Sequence, residues 1–176
     1  MRYCLIDTDL GTFGLAWTDR GVARVALPGR DRARTEIWIS REPAEPGFPE
    51  GPLAALPEMV RDYARGDQID FADVPLDLSE VPEFNHRVYD EALKLAYGET
   101  TTYGAIAMAL GDLTLSRAVG HALGANPIPL IVPCHRVLAS GGKTGGFSSP
   151  GGVSAKMRML ALEHAASPTG QYAFGF

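Results

Sequence analysis

Cysteine is nearly absent from this chain: Cys4 and Cys134 are the only two in 176 residues. So thin a supply excludes the disulfide framework on which small secreted domains depend. Met1-Arg2-Tyr3-Cys4 also lacks the apolar core of a signal peptide, so a cytoplasmic protein with two separate, reduced thiols is expected. Long apolar runs are missing too. The most apolar stretch, residues 126–138, is broken by Pro127, Pro129, Pro133, Cys134, His135 and Arg136, far short of the ~20 residues that span a membrane. Histidine is scarce, and His86, His121, His135 and His164 stand at no metal-ligand spacing from one another or from the cysteines, so no metal is expected. With 45% apolar and 21% charged residues, the chain is composed as a folded protein and not as a disordered one.

Basic residues are few and unevenly placed. Residues 1–83 hold 9 Lys/Arg against 16 Asp/Glu, whereas residues 84–176 hold 7 against 5. Between Leu113 and Glu163 the cations Arg117, Arg136, Lys143, Lys156 and Arg158 face Glu163 alone. This stretch is permitted to meet a polyanion although the whole chain carries −5. An ordinary solvated face has the same composition.

Apolar runs at residues 3–7, 13–18 and 22–27, separated by Gly11 and by Asp19-Arg20-Gly21, predict a small antiparallel sheet. A proline-rich stretch follows. It leads into a helix on which Leu53, Leu56, Val60 and Tyr63 repeat at helical spacing, ended by Gly66. After a linker at residues 67–82 the pattern becomes helical, beginning with Phe84, Val88, Ala92 and Leu95 on one face and stopping near Gly98. Thr102 can cap a helix over 103–110, Gly111-Asp112 turns the chain, and a second helix over 114–123 stops at Gly124. Two short helices around a glycine turn suggest a helix-turn-helix. The second is rich in small residues (Ser116, Ala118, Gly120, Ala122) beside the single charge Arg117, a surface suited to close approach by a neighbouring helix or by a shallow DNA groove.

Residues 126–137 read Asn-Pro-Ile-Pro-Leu-Ile-Val-Pro-Cys-His-Arg-Val. Prolines and β-branched residues exclude a helix there and place Cys134 at the end of a buried extended segment. A thiol acts as nucleophile only when a base or a positive charge lowers its ordinary pKa of ~8.5. His135 is adjacent, but successive residues of an extended chain point apart, so a bridging water is the economical link. Glu163, the only acid after Asp112, is the candidate to orient the imidazole. Spacing alone does not separate such a relay from an inert buried Cys beside a surface His. The loop at residues 140–152 carries six glycines with Ser148 and Ser149 among them, so its backbone N–H groups can approach a ligand. Gly142-Lys143-Thr144 is not a nucleotide-triphosphate loop, because Val137 stands where that motif needs glycine.

Taken in order, Thr102-Tyr103-Gly104, Arg117-Ala118-Val119-Gly120, Asn126-Pro127, Pro133-Cys134-His135-Arg136-Val137, Gly151-Gly152, Lys156 and Glu163 resemble the O6-alkylguanine-DNA alkyltransferases, the methylated-DNA--protein-cysteine methyltransferases. The likeness runs from Phe84 to Glu163. It is looser in the first half, where it rests on residues 8–15, Gly21-Val22 and residues 75–78. It implies an α/β protein in which a ribonuclease-H-like sheet domain with its linker (1–80) precedes a mostly helical, helix-turn-helix DNA-binding domain (81–165) and a tail (166–176).

The resemblance also assigns roles. Cys134 is the alkyl acceptor, activated through water by His135, which Glu163 orients. Tyr103 rotates the target phosphate and contacts a base flipped through the minor groove, Arg117 fills the vacated stack, and Asn126 braces the turn before the active site. DNA contacts are expected from Thr102, Tyr103, Ser116, Arg117, Ala118, Gly120 and Arg136. A base pocket is expected from Pro129, Val137, Phe147, Ser148, Ser149 and Lys156, with one of the two serines on guanine O6. The implied chemistry is irreversible single-turnover transfer from guanine O6, and from thymine O4, in double-stranded DNA. It needs no cofactor and no metal, and involves a cytoplasmic monomer, nucleoid-associated if bacterial, without membrane contact. Departures from the family pattern fall at Leu113, Leu115, Ser116, Tyr89, Phe147 and Ser148-Ser149-Pro150. A non-catalytic lesion-binding relative is the alternative, against which Cys134 itself speaks, since those proteins carry Trp there. A cysteine hydrolase built on Cys134, His135 and Glu163 is a third reading, distinguished by turnover.

Overall fold

The computed structural model describes residues 1–165, and the predicted tail 166–176 lies outside them. The architecture is mixed α/β. The chain forms two compact units, Met1–Glu80 with Pro127–Ile131, and Val81–Asn126 with the chain from Val132.

In the first unit a four-stranded sheet has the order β3-β2-β1-β4. β1 (Arg2–Thr8), β2 (Gly11–Thr18) and β3 (Gly21–Ala26) form the expected antiparallel meander. A two-residue β4 (Glu45–Pro46) adds to β1 in parallel. Phe13 to Trp17 are buried in succession, as in a strand covered on both faces. One cover is α1 (Arg32–Ile39), whose Ile39 clusters with Tyr3, Ala16 and Ala26. Neither α1 nor β4 is foreshadowed by the sequence pattern. The apolar residues of α1 are bunched as Ile37-Trp38-Ile39 and show no helical period, and its start is set by the Asp31 carboxylate accepting from Arg34 N at 2.8 Å. α2 (Leu56–Arg65) follows the predicted periodicity and ends at Gly66, while Leu53 falls in a preceding 3-10 turn.

The stretch read as a linker is pinned to the sheet edge. Val22 N donates to Pro75 O and Asp77 N to Val22 O, both at 2.8 Å. The Asp77 carboxylate accepts from Thr18 at 2.6 Å and pairs with Arg20 at 3.1 Å. Gly21 permits this, because a Cβ there would lie 2.3 Å from Pro75 O. Residues 127–131 also join the sheet unit, with Val25 N donating to Pro127 O at 2.9 Å.

The second unit holds α3 (Glu83–Leu93), α4 (Tyr103–Ala109), α5 (Ser116–Gly124) and α6 (Gly152–Leu162). A short parallel pair, β5 (Thr101–Thr102) and β6 (Val137–Leu138), joins the start of α4 to the segment after Cys134. α4 starts where predicted, with Thr102 Oγ1 accepting from Ala105 N at 3.1 Å. α5 begins two residues later than expected, because Leu113–Leu115 form a 3-10 turn capped by Asp112. Tyr89 is fully buried on α3 and donates to Ala122 O of α5 at 2.9 Å. No helix among the described residues is long and apolar enough to cross a membrane.

Candidate active site

A cavity of about 530 Å³ opens within the second unit. One wall is α5. Ser116, Gly120 and Gly124 recur every four residues, with Arg117 and His121 one position on, so a single helix face lines the cavity. The opposing wall is the glycine loop, through Gly146, Phe147, Ser148 and Ser149. Tyr103, from the first turn of α4, Asn126 and Cys134 complete the lining.

Cys134 is 6% exposed and opens a 3-10 turn, Cys134–Arg136. The expected extended segment before it is not formed: the chain bends at residues 127–128 and turns at Leu130, where φ is +79°, before Cys134 opens the 3-10 turn. Burial pushes the Cys134 thiol up. A hydrogen bond from the Asn126 side chain and the positive charge of Lys156 act in the opposite sense without overcoming it. The resting sulfur is therefore a thiol that needs a base. Asn126 is held for this task, since its Nδ2 also donates to Val132 O at 2.9 Å.

His135 is wholly buried, which removes the alternative of a surface histidine. Its Nε2 lies 2.7 Å from Glu163 Oε1. Burial disfavours the imidazolium and outweighs the opposing pull of Glu163, so the ring is neutral. Desolvation also works against the Glu163 carboxylate, but hydrogen bonds and charge from His135 and Arg136 hold it well below the usual range. A neutral ring beside an ionised carboxylate carries its proton on Nε2. Nδ1 is then the basic nitrogen, and it is buried without a hydrogen-bond partner among the described residues.

Arg136, expected at the DNA face, is corrected by the structure. It is 6% exposed, and its Nε and Nη2 reach the two oxygens of Glu163 at 2.8 and 3.1 Å while Nη1 donates to Leu95 O at 2.9 Å. A guanidinium so engaged has no donor fork left for phosphate. Glu163 is the single acid after Asp112, but no spacing in the sequence ties it to Arg136. Gly98 makes the close packing possible, since at φ +74° its N donates to Glu163 Oε2 at 3.2 Å and a Cβ would meet Glu163 O at 2.8 Å.

The remaining candidates divide. Phe147, Ser148 and Ser149 line the cavity, but the Ser148 hydroxyl donates to Gly124 O at 2.5 Å. Val137 and Lys156 lie behind the lining, both fully buried, with Lys156 Nζ donating to Val137 O at 2.6 Å. Pro129 belongs to the 127–131 segment of the sheet unit and does not line the cavity. Ala118 is likewise off the lining, and the Thr102 and Ser116 hydroxyls serve the local turns that start α4 and α5. His121, Leu123, Gly124 and Gly146 are lining residues that the sequence reading missed. His121 was within reach, because it lies one helical turn beyond Arg117. No cluster of metal-ligating side chains occurs among the described residues.

Comparison with known proteins gives a family match over the region that holds this cavity. The family model described as 6-O-methylguanine DNA methyltransferase, DNA binding domain, matches residues 83–165. A methylated-DNA--protein-cysteine methyltransferase of Mycolicibacterium paratuberculosis is 39% identical over 155 residues, covering 85% of this chain and 92% of that protein. The solved structure of Mycobacterium tuberculosis OGT in complex with DNA is similar at a TM-score of 0.76 and 36% identity, covering 93% of this chain and 92% of the other. An O6-methylguanine-DNA methyltransferase from Pyrococcus kodakaraensis is similar at 0.73 and 26% identity, over 92% and 98% of the two chains.

Proposed function

The chain belongs to the methylated-DNA--protein-cysteine methyltransferase family and repairs alkylated DNA by direct reversal, and we propose that Cys134 is its alkyl acceptor within a relay of His135 and Glu163. The observation that carries this reading is the buried triad itself: a thiol at the cavity, a neutral imidazole with an unpartnered Nδ1, and an ionised carboxylate 2.7 Å from Nε2. The Cys134 proton passes through a water to Nδ1, and Glu163 stabilises the imidazolium that forms. Sulfur attacks the alkyl carbon as the C–O6 bond breaks, and guanine leaves with the bonding pair. The imidazolium proton returns to guanine, so the products are a thioether and an unmodified base. Nothing in the set regenerates a thiol from a thioether, so each molecule acts once.

A base in the stack cannot reach a buried sulfur, so the target nucleotide is extruded at a cost of a few kcal/mol. Arg117, exposed at the cavity mouth on α5, fills the gap from the minor groove, and Tyr103 meets the extruded nucleotide. Thymine O4 presents the same alkyl–oxygen bond and is a second substrate. Because the Ser148 proton is committed to Gly124 O, Ser149 is the donor left to face O6. The α4–turn–α5 pair supports a helix-turn-helix reading of this unit, and the β3-β2-β1-β4 order supports a ribonuclease-H-like first domain. Residence in the cytoplasm, and with the nucleoid in a bacterial cell, belongs to the same reading, since the substrate is double-stranded DNA.

Incubation with excess O6-methylguanine duplex is expected to add one methyl group per chain, located by mass spectrometry on the Cys134 peptide and abolished by Cys134→Ala. Turnover beyond one equivalent would make the protein a hydrolase, and lesion binding with no methyl transferred would make it a non-catalytic binder.

A further inference from the structure

α5 brings two long polar side chains to the cavity, Arg117 and His121, and His121 has no part in the Cys134 relay. The two are four residues apart, so they stand one above the other on the same edge of the helix, with Cβ atoms about 5–6 Å apart. Both are exposed, while Val119 and Ala122 are buried off the lining. Ser116, the hydroxyl that α5 adds to the lining, is engaged at home, donating to Leu113 O at 2.6 Å. The imidazole of His121 makes no hydrogen bond or ion pair among the described residues. Arg117 and His121 are therefore the α5 side chains left to donate to a partner outside the chain. No carboxylate lines the cavity beside them. Like charges at this spacing repel, and an anion laid against both removes the repulsion. The last turn of a helix also suits a cation, and His121 is the basic residue of that turn in α5.

We propose that His121 is a second DNA contact of α5: its imidazole, protonated, donates to a backbone phosphate close to the nucleotide whose place Arg117 fills. The proposal rests on α5 being the helix that meets the duplex. DNA advances ~3.4 Å per nucleotide, so a side chain one helical turn from the wedge reaches a phosphate within about two nucleotides of the target. A phosphate contact carries no base preference, so His121 strengthens the grip on any duplex sequence. It also ties that grip to pH, because imidazole is the side chain that gains a proton just below neutrality. The other titratable or charged groups on the lining are Arg117 on α5, Tyr103 on α4 and Cys134 on the 3-10 turn, and the glycine loop brings none. Burial raises both Tyr103 and Cys134, so neither becomes charged between pH 6 and pH 7.5. Lys156, buried behind the wall, sits at about 8 and stays mostly charged over the same interval.

The test titrates a labelled O6-methylguanine duplex at 50 to 200 mM salt, at pH 6 and pH 7.5, with Cys134→Ser chains that bind without transferring. Three such chains are compared: His121 retained, His121→Leu and His121→Arg, with melting temperature as the check on folding. With His121 retained, the logarithmic salt slope should be steeper at pH 6 by about 0.9, so that affinity loses about 3.5-fold more across the salt range than at pH 7.5. In His121→Leu the two slopes should agree, and in His121→Arg the steeper slope should appear at both values. A pH-dependent slope that survives in His121→Leu overturns the proposal, because another group then carries the charge. Equal losses in the Leu and Arg variants overturn it too, and reduce His121 to a residue that only shapes the lining. The companion Arg117→Ala separates the two levels of the argument. If neither Arg117→Ala nor His121→Leu alters duplex binding or repair, α5 does not face DNA and both readings fall. If Arg117→Ala slows duplex repair while the salt slope with His121 retained ignores pH, the His121 contact alone falls.

Discussion

Glu163 carries two burdens that a single substitution cannot separate. Its carboxylate accepts from both arms of Arg136 and from Gly98 N, and it orients His135. Glu163→Gln therefore leaves a buried guanidinium without its counter-charge and is expected to cost about 3–5 kcal/mol of stability as well as transfer rate. His135→Ala leaves the Arg136 pair intact, so it should lower the rate with a smaller fall in melting temperature. If the two residues form one relay, the double variant transfers little more slowly than the worse single one, and strict additivity of rate losses contradicts that. The same groups fix the response to acid. The His135 value is lowered from 6.5 by burial, so below about 6.5 the unfolded chain binds a proton that the folded one refuses. Glu163 is held below its ordinary 4.5, so its contribution is complete above that value and is lost as the pH falls through its folded one. Melting temperature should accordingly fall steadily from pH 7 to pH 4. A flat profile over that interval would contradict a neutral His135 against an ionised Glu163.

At the level of elements, α5 serves both the cavity and the expected DNA surface. Its small residues at 116, 120 and 124 leave room for a ligand, and Val119 and Ala122 are buried off the lining. Arg117 is the long side chain on the open face. Arg117→Ala is expected to slow repair of duplex DNA by at least ten-fold, which needs only ~1.4 kcal/mol of the unstacking cost to be left without compensation. Transfer from free O6-benzylguanine, which has no stack to leave, should be nearly unchanged. Equal losses on the two substrates would count against a wedge. The Ser148 hydroxyl on Gly124 O ties the glycine loop to the C-terminal end of this helix, where carbonyls lack helical partners.

For the whole molecule, charge sets the terms of DNA binding. Residues 1–83 are net acidic and residues 84–176 slightly basic. Only a few cations are available to displace counterions from phosphate, so duplex affinity should fall with salt along a shallow logarithmic slope, on the order of one per phosphate contact. Titrations of labelled duplex between 50 and 300 mM salt would measure it, and an affinity independent of salt would exclude phosphate contact by these residues. A protein that acts once needs only to find lesions, and modest, salt-sensitive affinity suits searching along DNA.

The sequence by itself determined the meander, whose strands are written as apolar runs between glycine turns, and the helices α2 to α5, written as period, cap and stop. It also brought Cys134, His135 and Glu163 forward as candidates, because Cys134 is the one thiol of the second half, His135 adjoins it and Glu163 is the only acid after Asp112. What only the tertiary structure decided are the pairings made across the chain. Glu163 meets Arg136 as well as His135, Lys156 reaches back to Val137, and residues 75–77 close onto the edge of the sheet. These were illegible for one physical reason. A buried charge takes its role from the groups that surround it, and those groups lie at sequence distances that neither helical nor strand periodicity records. Arg136 reads as a DNA contact in a basic stretch, and only its burial beside a carboxylate makes it part of the active site's support.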